Sequence, residues 1–337
     1  MVEETSRINA LIKLGRYLQE YQFEKIGYED LDHALQQASA SNGWFTKEAM
    51  QLALKSWGST LSQENIAQWV ANYTLQIPIN LKKIGLVLAG NIPLVGFHDL
   101  ICVWISGHNA QIKKSSKDNV LLPFIARQLE VFGESNCFDF RDTPLRHVDA
   151  VIATGSNNAA RYFEYYFSKV PTIIRKNRNG LAVLTGKESK EELEFLGKDI
   201  LQYYGLGCRN VSKILLPKGY DLNLIFGGLY PWASVIDNIK YAHNYDYNKA
   251  VFLMSEFDFL ENGFFLLKQD SAIAAPIATA YYEYYENEQA VQTYLNQHKN
   301  EIQCVVGKKN IPFGSAQEPK LWEYADQVDT LAFLQSL

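Results

Sequence analysis

Residues 83–93 read Lys83-Ile84-Gly85-Leu86-Val87-Leu88-Ala89-Gly90-Asn91-Ile92-Pro93, a short apolar run closed by a turn signal. A continuous run of this length, bounded by Gly, Asn and Pro, predicts a strand buried on both faces. From it the pattern alternates toward the C-terminus as it does in doubly wound parallel sheets. Residues 95–106 read as an apolar helix, 110–113 as a strand, 120–132 as a helix, and 137–140 and 148–153 as strands. Residues 159–167 follow as a helix, 172–175 and 181–184 as strands, and 190–204 as an amphipathic helix. After Pro217 a second alternation begins. It has a helix from 222 to about 239, strands at 251–254, 264–267 and 277–282, a helix at 288–297 and a strand at 302–306. The last stretch, 326–334, alternates weakly and predicts a strand that completes a sheet across a subunit interface, since an exposed edge invites pairing.

Upstream of the first strand, residues 1–76 are helical. Ile8, Leu11, Ile12 and Leu18 share one face, Leu31, Ala34, Leu35 and Ala38 another, and Ser62 reads as the N-cap before Ile66, Trp69, Val70 and Tyr73. The expected fold class is α/β: two open doubly wound parallel-sheet domains, a helical N-terminal region and a C-terminal strand. The boundaries expected are 1–76 for the helical region, 77–180 for a nucleotide-binding domain, 181–315 for a catalytic domain, and 316–337 for the C-terminal return and oligomerisation strand.

With 337 residues, 47% of them hydrophobic, the chain can build a core without staples. A formal net charge of -5 argues against a nucleic-acid surface, and the basic cluster 113–117 is too short to make one. No apolar run approaches the roughly 18–20 residues of a membrane span. The N-terminus carries acidic groups early, unlike a secretory leader, so a cytoplasmic setting is expected. Cys102, Cys137, Cys208 and Cys304 show no CxxC pairing and no histidine at ligand spacing, so neither a metal site nor a disulfide framework is expected.

Chemistry concentrates at residues 203–212, Tyr-Tyr-Gly-Leu-Gly-Cys-Arg-Asn-Val-Ser. Gly205 and Gly207 permit a sharp turn and leave the Cys208 sulfur approachable, and Arg209 beside it favours the thiolate. Two readings stand level on these residues alone, a nucleophile and a small buried hydrophobe before a strand. The other three cysteines sit in core-type surroundings such as Leu-Ile-Cys-Val-Trp-Ile. Asn91 falls in the turn after the first strand, where an amide NH2 donates to an oxyanion or simply stabilises the turn. Gly155-Ser156 joins a strand to a helix, which makes a pyrophosphate site or an ordinary N-cap. Lys113-Lys114-Ser115-Ser116-Lys117 ends another strand and reads as a ribose-phosphate contact or a solvated charge run. Two aromatic clusters, 162–167 and 281–285, read mainly as core or interface filling, with a minority of rings lining an apolar channel.

Taken in order, LVLAGNIPL, NAQIKKSSKDN, VIATGSNNAARYFEYYF, IIRKNRNGLAVL, YYGLGCRNVSKILLP and IPFG resemble the aldehyde dehydrogenase superfamily. Within it they are similar to the LuxC-type acyl-CoA reductases. The resemblance runs from about residue 80 to the C-terminus, and ATGSNNAARYFEYYF and GLGCRNVSK are its specific parts. It implies that Cys208 is the acyl-accepting thiol and that Asn91 is an oxyanion donor together with the Cys208 N–H. It further implies that Lys113, Ser115 and Ser116 lie at the adenosine ribose, and Gly155 and Ser156 at the pyrophosphate. A glutamate at the Ser116 position is typical of NAD-preferring relatives, so its absence implies NADPH. The general-base glutamate of oxidising relatives has no counterpart near Arg175, and a second glutamate is replaced at Ala272.

These departures imply reduction of an acyl-CoA or other acyl thioester, with a fatty chain, to the aldehyde. The expected partners are an acyl-CoA or acyl-carrier substrate, an acyl-transferring protein, and further copies of the chain. His243 is a candidate proton donor, weighed against a structural histidine. The alternatives are a cofactor-independent acyltransferase or thioesterase using the same thiol, and an inactive thioester-binding scaffold.

Overall fold

Four amphipathic helices lead the chain: α1 (Glu4–Glu20), α2 (Glu29–Ser41), α3 (Lys47–Thr60) and α4 (Gln63–Val70). Thr46 and Ser62 cap α3 and α4 by accepting the N–H of Ala49 and Asn65, each at 3.2 Å. The computed structural model describes residues 4–75, 78 and 80–337. The boundary expected at 76/77 therefore lies outside the described residues, as do the first three residues of the stretch read for a leader.

The chain then lays down β1 (Lys83–Val87), α5 (Phe97–Ser106), β2 (Asn109–Lys113), α6 (Leu121–Phe132), β3 (Phe138–Arg141), β4 (Ala150–Thr154), α7 (Asn157–Tyr166) and β5 (Thr172–Arg175). The five strands form one sheet in the order β3-β2-β1-β4-β5, every pairing parallel. β1 holds the centre because Ile84, Gly85 and Leu86 are buried, as a strand covered on both faces requires. α5 is buried nearly all round, which its LICVWI run dictates. The apolar faces of α1–α4 join α5, α6 and the sheet in one core containing the fully buried Trp69 and Trp104. This unit comprises the chain up to Lys176 together with Lys320–Leu337.

The second unit, Asn177–Pro319, contains β6 (Asn179–Val183), α8 (Lys190–Leu201), β7 (Val211–Pro217), α9 (Asn223–Leu229), a 3-10 segment at Tyr230–Asp237, and α10 (Ile239–Met254). It continues with β8 (Phe259–Glu261), β9 (Leu266–Gln269), β10 (Thr279–Tyr285), α11 (Glu288–Gln297) and β11 (Ile302–Val306). Its six-stranded sheet has the order β11-β6-β7-β10-β9-β8, parallel except for the antiparallel β8–β9 pair. A capping box starts α8: Ser189 and Glu192 satisfy each other's backbone N–H groups. The α/β class with two parallel sheets is the expected one.

Two expected strands are helices. Residues 251–254 are the last turn of α10, whose N-cap Asn238 accepts from the N–H of Lys240 and Tyr241. The C-terminal stretch read as an oligomerisation strand is α12 (Thr330–Gln335), back in the first unit. Asp329 caps it through the N–H of Ala332 at 2.8 Å, and the buried pair Leu331 and Leu334 follows the three-residue spacing of a helix face. The segment is fastened inside its own unit. Trp69 Nε1 donates to the Tyr324 hydroxyl and the Tyr73 hydroxyl to Asp329, both at 2.7 Å, and a His98 ring nitrogen meets the Leu321 carbonyl at 2.9 Å.

Candidate active site

In the first unit the chain steps from β1 to β2 and β3 on one side and then returns to β4 on the other. The order therefore reverses between β1 and β4. Ligands of open α/β sheets bind beyond the carboxyl ends of the strands at such a reversal. The two loops that leave from there are those of Asn91, after β1, and Gly155-Ser156, after β4. Gly155 has no room for a side chain, since a Cβ would come within 2.9 Å of both Ala159 and Phe163. Strand and helix consequently meet closely, and Ser156 caps α7 through the Ala159 N–H at 3.2 Å. Ser156, Asn157 and Asn158 are exposed. The first-turn N–H groups lack intrahelical acceptors, so this helix start suits an anionic group such as a dinucleotide pyrophosphate.

The loop after β2 lies directly against the Asn91 turn. A Cβ on Gly90 would sit 2.4 Å from the Ser115 Oγ, so the backbone must be bare there. Ser115 bridges Asp118 across a tight turn, its Oγ accepts the Lys117 N–H at 3.3 Å, and Ser116 is exposed at the tip. Lys113 directs its ammonium to the Asp142 carbonyl, while Lys114 pairs with the Asp142 carboxylate at 3.0 Å. Asn91, Ser115, Ser116, Gly155 and Ser156 thus lie on loops at the same end of three adjacent strands. The Lys113 ammonium is held by the β3–β4 connection.

In the second unit Cys208 occupies the loop entering the amino end of β7. Gly205 and Gly207 take φ of 79° and 97°, a left-handed conformation that glycine adopts without strain, and Cys208 itself is half-buried. The Arg209 Nε donates to the Ala316 carbonyl. That carbonyl is fixed in turn by Asp199, which accepts the N–H of Gly314 at 2.7 Å and of Ala316 at 2.9 Å. Asp199, a clamp beneath the Cys208 loop, carries no sequence signal because its partners are backbone groups 115 and 117 residues away.

Burial pushes the Asp199 carboxyl up to about 6, against the pull of those N–H groups. The folded chain thus binds this proton more tightly than the unfolded one, and the Asp199 contribution to stability falls as pH rises from about 4 to 6. Urea midpoints of the wild type and Asp199→Asn measured from pH 4 to 7 test this. The wild type should gain on the variant as the pH drops, and parallel curves would refute the assignment.

The other cysteines are poor nucleophiles. Burial raises the Cys102 thiol well above its ordinary pKa. Burial, with Glu130 adding to it, pushes Cys137 up to about 12. Cys304 is buried in β11 and donates to the Arg209 carbonyl at 3.6 Å. Arg175 is buried at 5% exposure, ion-paired with Asp99 and hydrogen-bonded to Thr330 Oγ1 at 2.8 Å. Ala272 is exposed, and so is His243 on α10. Of the aromatic clusters, Tyr162, Tyr165 and Tyr166 project from α7 into solvent rather than filling core. Among the described residues no group of three or more His, Cys, Asp or Glu is placed to hold a metal ion, and no helix is long and apolar enough to cross a membrane.

No family model and no curated protein sequence matches the chain. Solved structures do. The indole-3-acetaldehyde dehydrogenase AldA of P. syringae, solved with NAD+ and IAA, superimposes with a TM-score of 0.67 at 9% identity over 90% of this chain and 72% of that one. The aldehyde dehydrogenase KauB of Pseudomonas aeruginosa gives 0.66 at 12% identity over 90% and 72%. Aldehyde dehydrogenase 21 of Physcomitrella patens gives 0.65 at 12% identity over 91% and 74%. The chain has the aldehyde dehydrogenase fold.

Proposed function

We propose that the chain reduces an acyl thioester, a fatty acyl-CoA, to the aldehyde with NADPH, through an acyl group carried on Cys208. The observation that carries this reading is the Cys208 loop: one half-buried thiol on a glycine-bounded turn, beside a cation held in place by a backbone carbonyl.

The Cys208 thiolate attacks the thioester carbonyl and expels the CoA thiolate, leaving the acyl group on sulfur. Asn91, with the Cys208 N–H, stabilises the oxyanion that forms. Gly155 and Ser156 would hold the cofactor's pyrophosphate, and the cofactor would supply the hydride that the acyl carbon accepts. The resulting thiohemiacetal oxyanion collapses, Cys208 leaves as thiolate, and aldehyde is released. Two features support reduction over hydrolysis. Arg175, near the position where oxidising relatives keep a base, is a buried cation engaged with Asp99 and Thr330. Ala272 has no group to activate water. Ser116 places no carboxylate at the ribose contact, which supports the phosphorylated cofactor. The similar structures solved with NAD+ support a nicotinamide cofactor in general.

The test is to follow NADPH absorbance with a panel of acyl-CoA chain lengths. Aldehyde formed in step with NADPH loss is expected; no turnover with any chain length refutes the reading.

A further inference from the structure

We propose that Asp118 is a positioning residue that locks the Asn91 turn to the Ser115-Ser116 turn, so that the acyl-oxygen donor and the ribose contact form one mechanical unit. This rests on the function proposed above. Asp118 is 4% exposed at the junction of the two loops, and it is the residue against which Ser115 forms its bridge. Its Oδ1 accepts the Leu122 N–H at 3.1 Å, at the start of α6. Burial pushes its carboxyl up to about 6, and the N–H groups of Leu122, Leu94 and Leu121 draw it back down.

Leu94 is the informative neighbour. It belongs to the Asn91 turn, is 1% exposed, and has φ 59°, a left-handed conformation that a leucine keeps only when its surroundings impose it. The Asp118 carboxyl therefore faces amides from both loops. Gly90 brings them into contact, since its absent side chain leaves space for Ser115 Oγ and Asp118 Cβ. Asn42, 6% exposed at the end of α2, adds an outer brace by donating to the Lys117 carbonyl at 3.0 Å. An apolar residue at 118 would fill the volume but leave the buried Leu122 N–H unpaired and take the carboxyl away from Leu94.

Asp118→Ala and Asp118→Asn are compared by amide hydrogen exchange at Leu94 and Leu122, by the rate of acyl-enzyme formation from acyl-CoA without cofactor, and by the NADPH dissociation constant. In Asp118→Ala, exchange at both amides should quicken at least ~10-fold. Acyl-enzyme formation should slow by ~10- to 100-fold, as a misdirected oxyanion donor implies. NADPH affinity should fall in parallel. Asp118→Asn keeps an acceptor oxygen and should restore all three readouts most of the way. Gly90→Ala, which keeps the Asp118 carboxyl but wedges Ser115 and Asp118 away from the Asn91 turn, should depress acylation and NADPH affinity together, and it serves if Asp118→Ala does not fold.

Loss of only one of the two functional readouts, unchanged exchange at Leu94, or an Asn variant no better than Ala overturns the proposal. If the wild type forms no acyl-enzyme and binds no NADPH, the functional reading fails instead, while the exchange comparison still decides whether the clamp exists.

Discussion

Replacing Cys208 by Ala is expected to lower aldehyde formation by about 10⁴-fold or more, because loss of a covalent nucleophile removes the pathway and not just one contact. Cys102 and Cys137 cannot substitute, with thiols held protonated by burial, and Cys304 is committed within β11. The fold should not suffer. Cys208 is half-buried in a loop whose shape is set by Gly205, Gly207 and the Arg209–Ala316 bond, none of which the substitution removes. NADPH affinity should likewise be retained, since the loops assigned to the cofactor belong to the first unit. The decisive measurement pairs turnover with the mass of protein quenched during reaction. The wild type should carry one acyl group and the variant none. Turnover in the variant above about one per cent of wild type would remove Cys208 from the mechanism. Cys208→Ser separates this mechanism from a thioesterase: an acyl-serine ester is a poorer hydride acceptor, so reduction should fall even where slow acylation persists.

Which parts of this were legible beforehand follows from where the information resides. β1 was readable because Ile84, Gly85 and Leu86 are buried in succession, so both faces are covered and the strand reads as a continuous apolar run. α11 and β11 fall on their expected bounds because each is bracketed by polar turns. Residues 251–254 read as a strand because α10 is apolar on two sides. Tyr241, Tyr245 and Phe252 face the core while Ile239, Tyr247 and Met254 face solvent, which erases the helical period. The C-terminal segment alternates like a strand, and the single residue that marks it as a helix is Asp329, the cap that starts α12.

At the site, bare-backbone requirements were visible as glycines at 155, 205 and 207. The carboxyl clamps were not. Asp118 and Asp199 bind main-chain N–H groups, which every residue type supplies, so their partners leave no trace in residue identity.

Arg175 gives the largest expected effect on stability. Burial works against its charge, and the Asp99 carboxylate outweighs burial, raising the guanidinium pKa above its ordinary value. Each partner is at most 7% exposed at the side chain, and the pair joins the end of β5 to the first turn of α5, while the second guanidinium arm reaches Thr330 of α12. Arg175→Met would strand the Asp99 carboxylate in a site that cannot hydrate it, at a cost of about 3–5 kcal/mol. Arg175→Met with Asp99→Leu removes both charges and should recover much of that loss, because desolvation no longer has to be offset by pairing. Denaturant unfolding of the two single variants and the double variant measures the coupling. A double variant as unstable as the sum of the singles would show that the ion pair is not what holds the three elements.

The same cycle bears on chemistry. If Arg175 acted as a surrogate for the missing base, its loss would alter the fraction of acyl-enzyme hydrolysed to acid. A buried guanidinium bound on two sides cannot accept a proton from water, so that fraction should stay constant in every variant that remains folded.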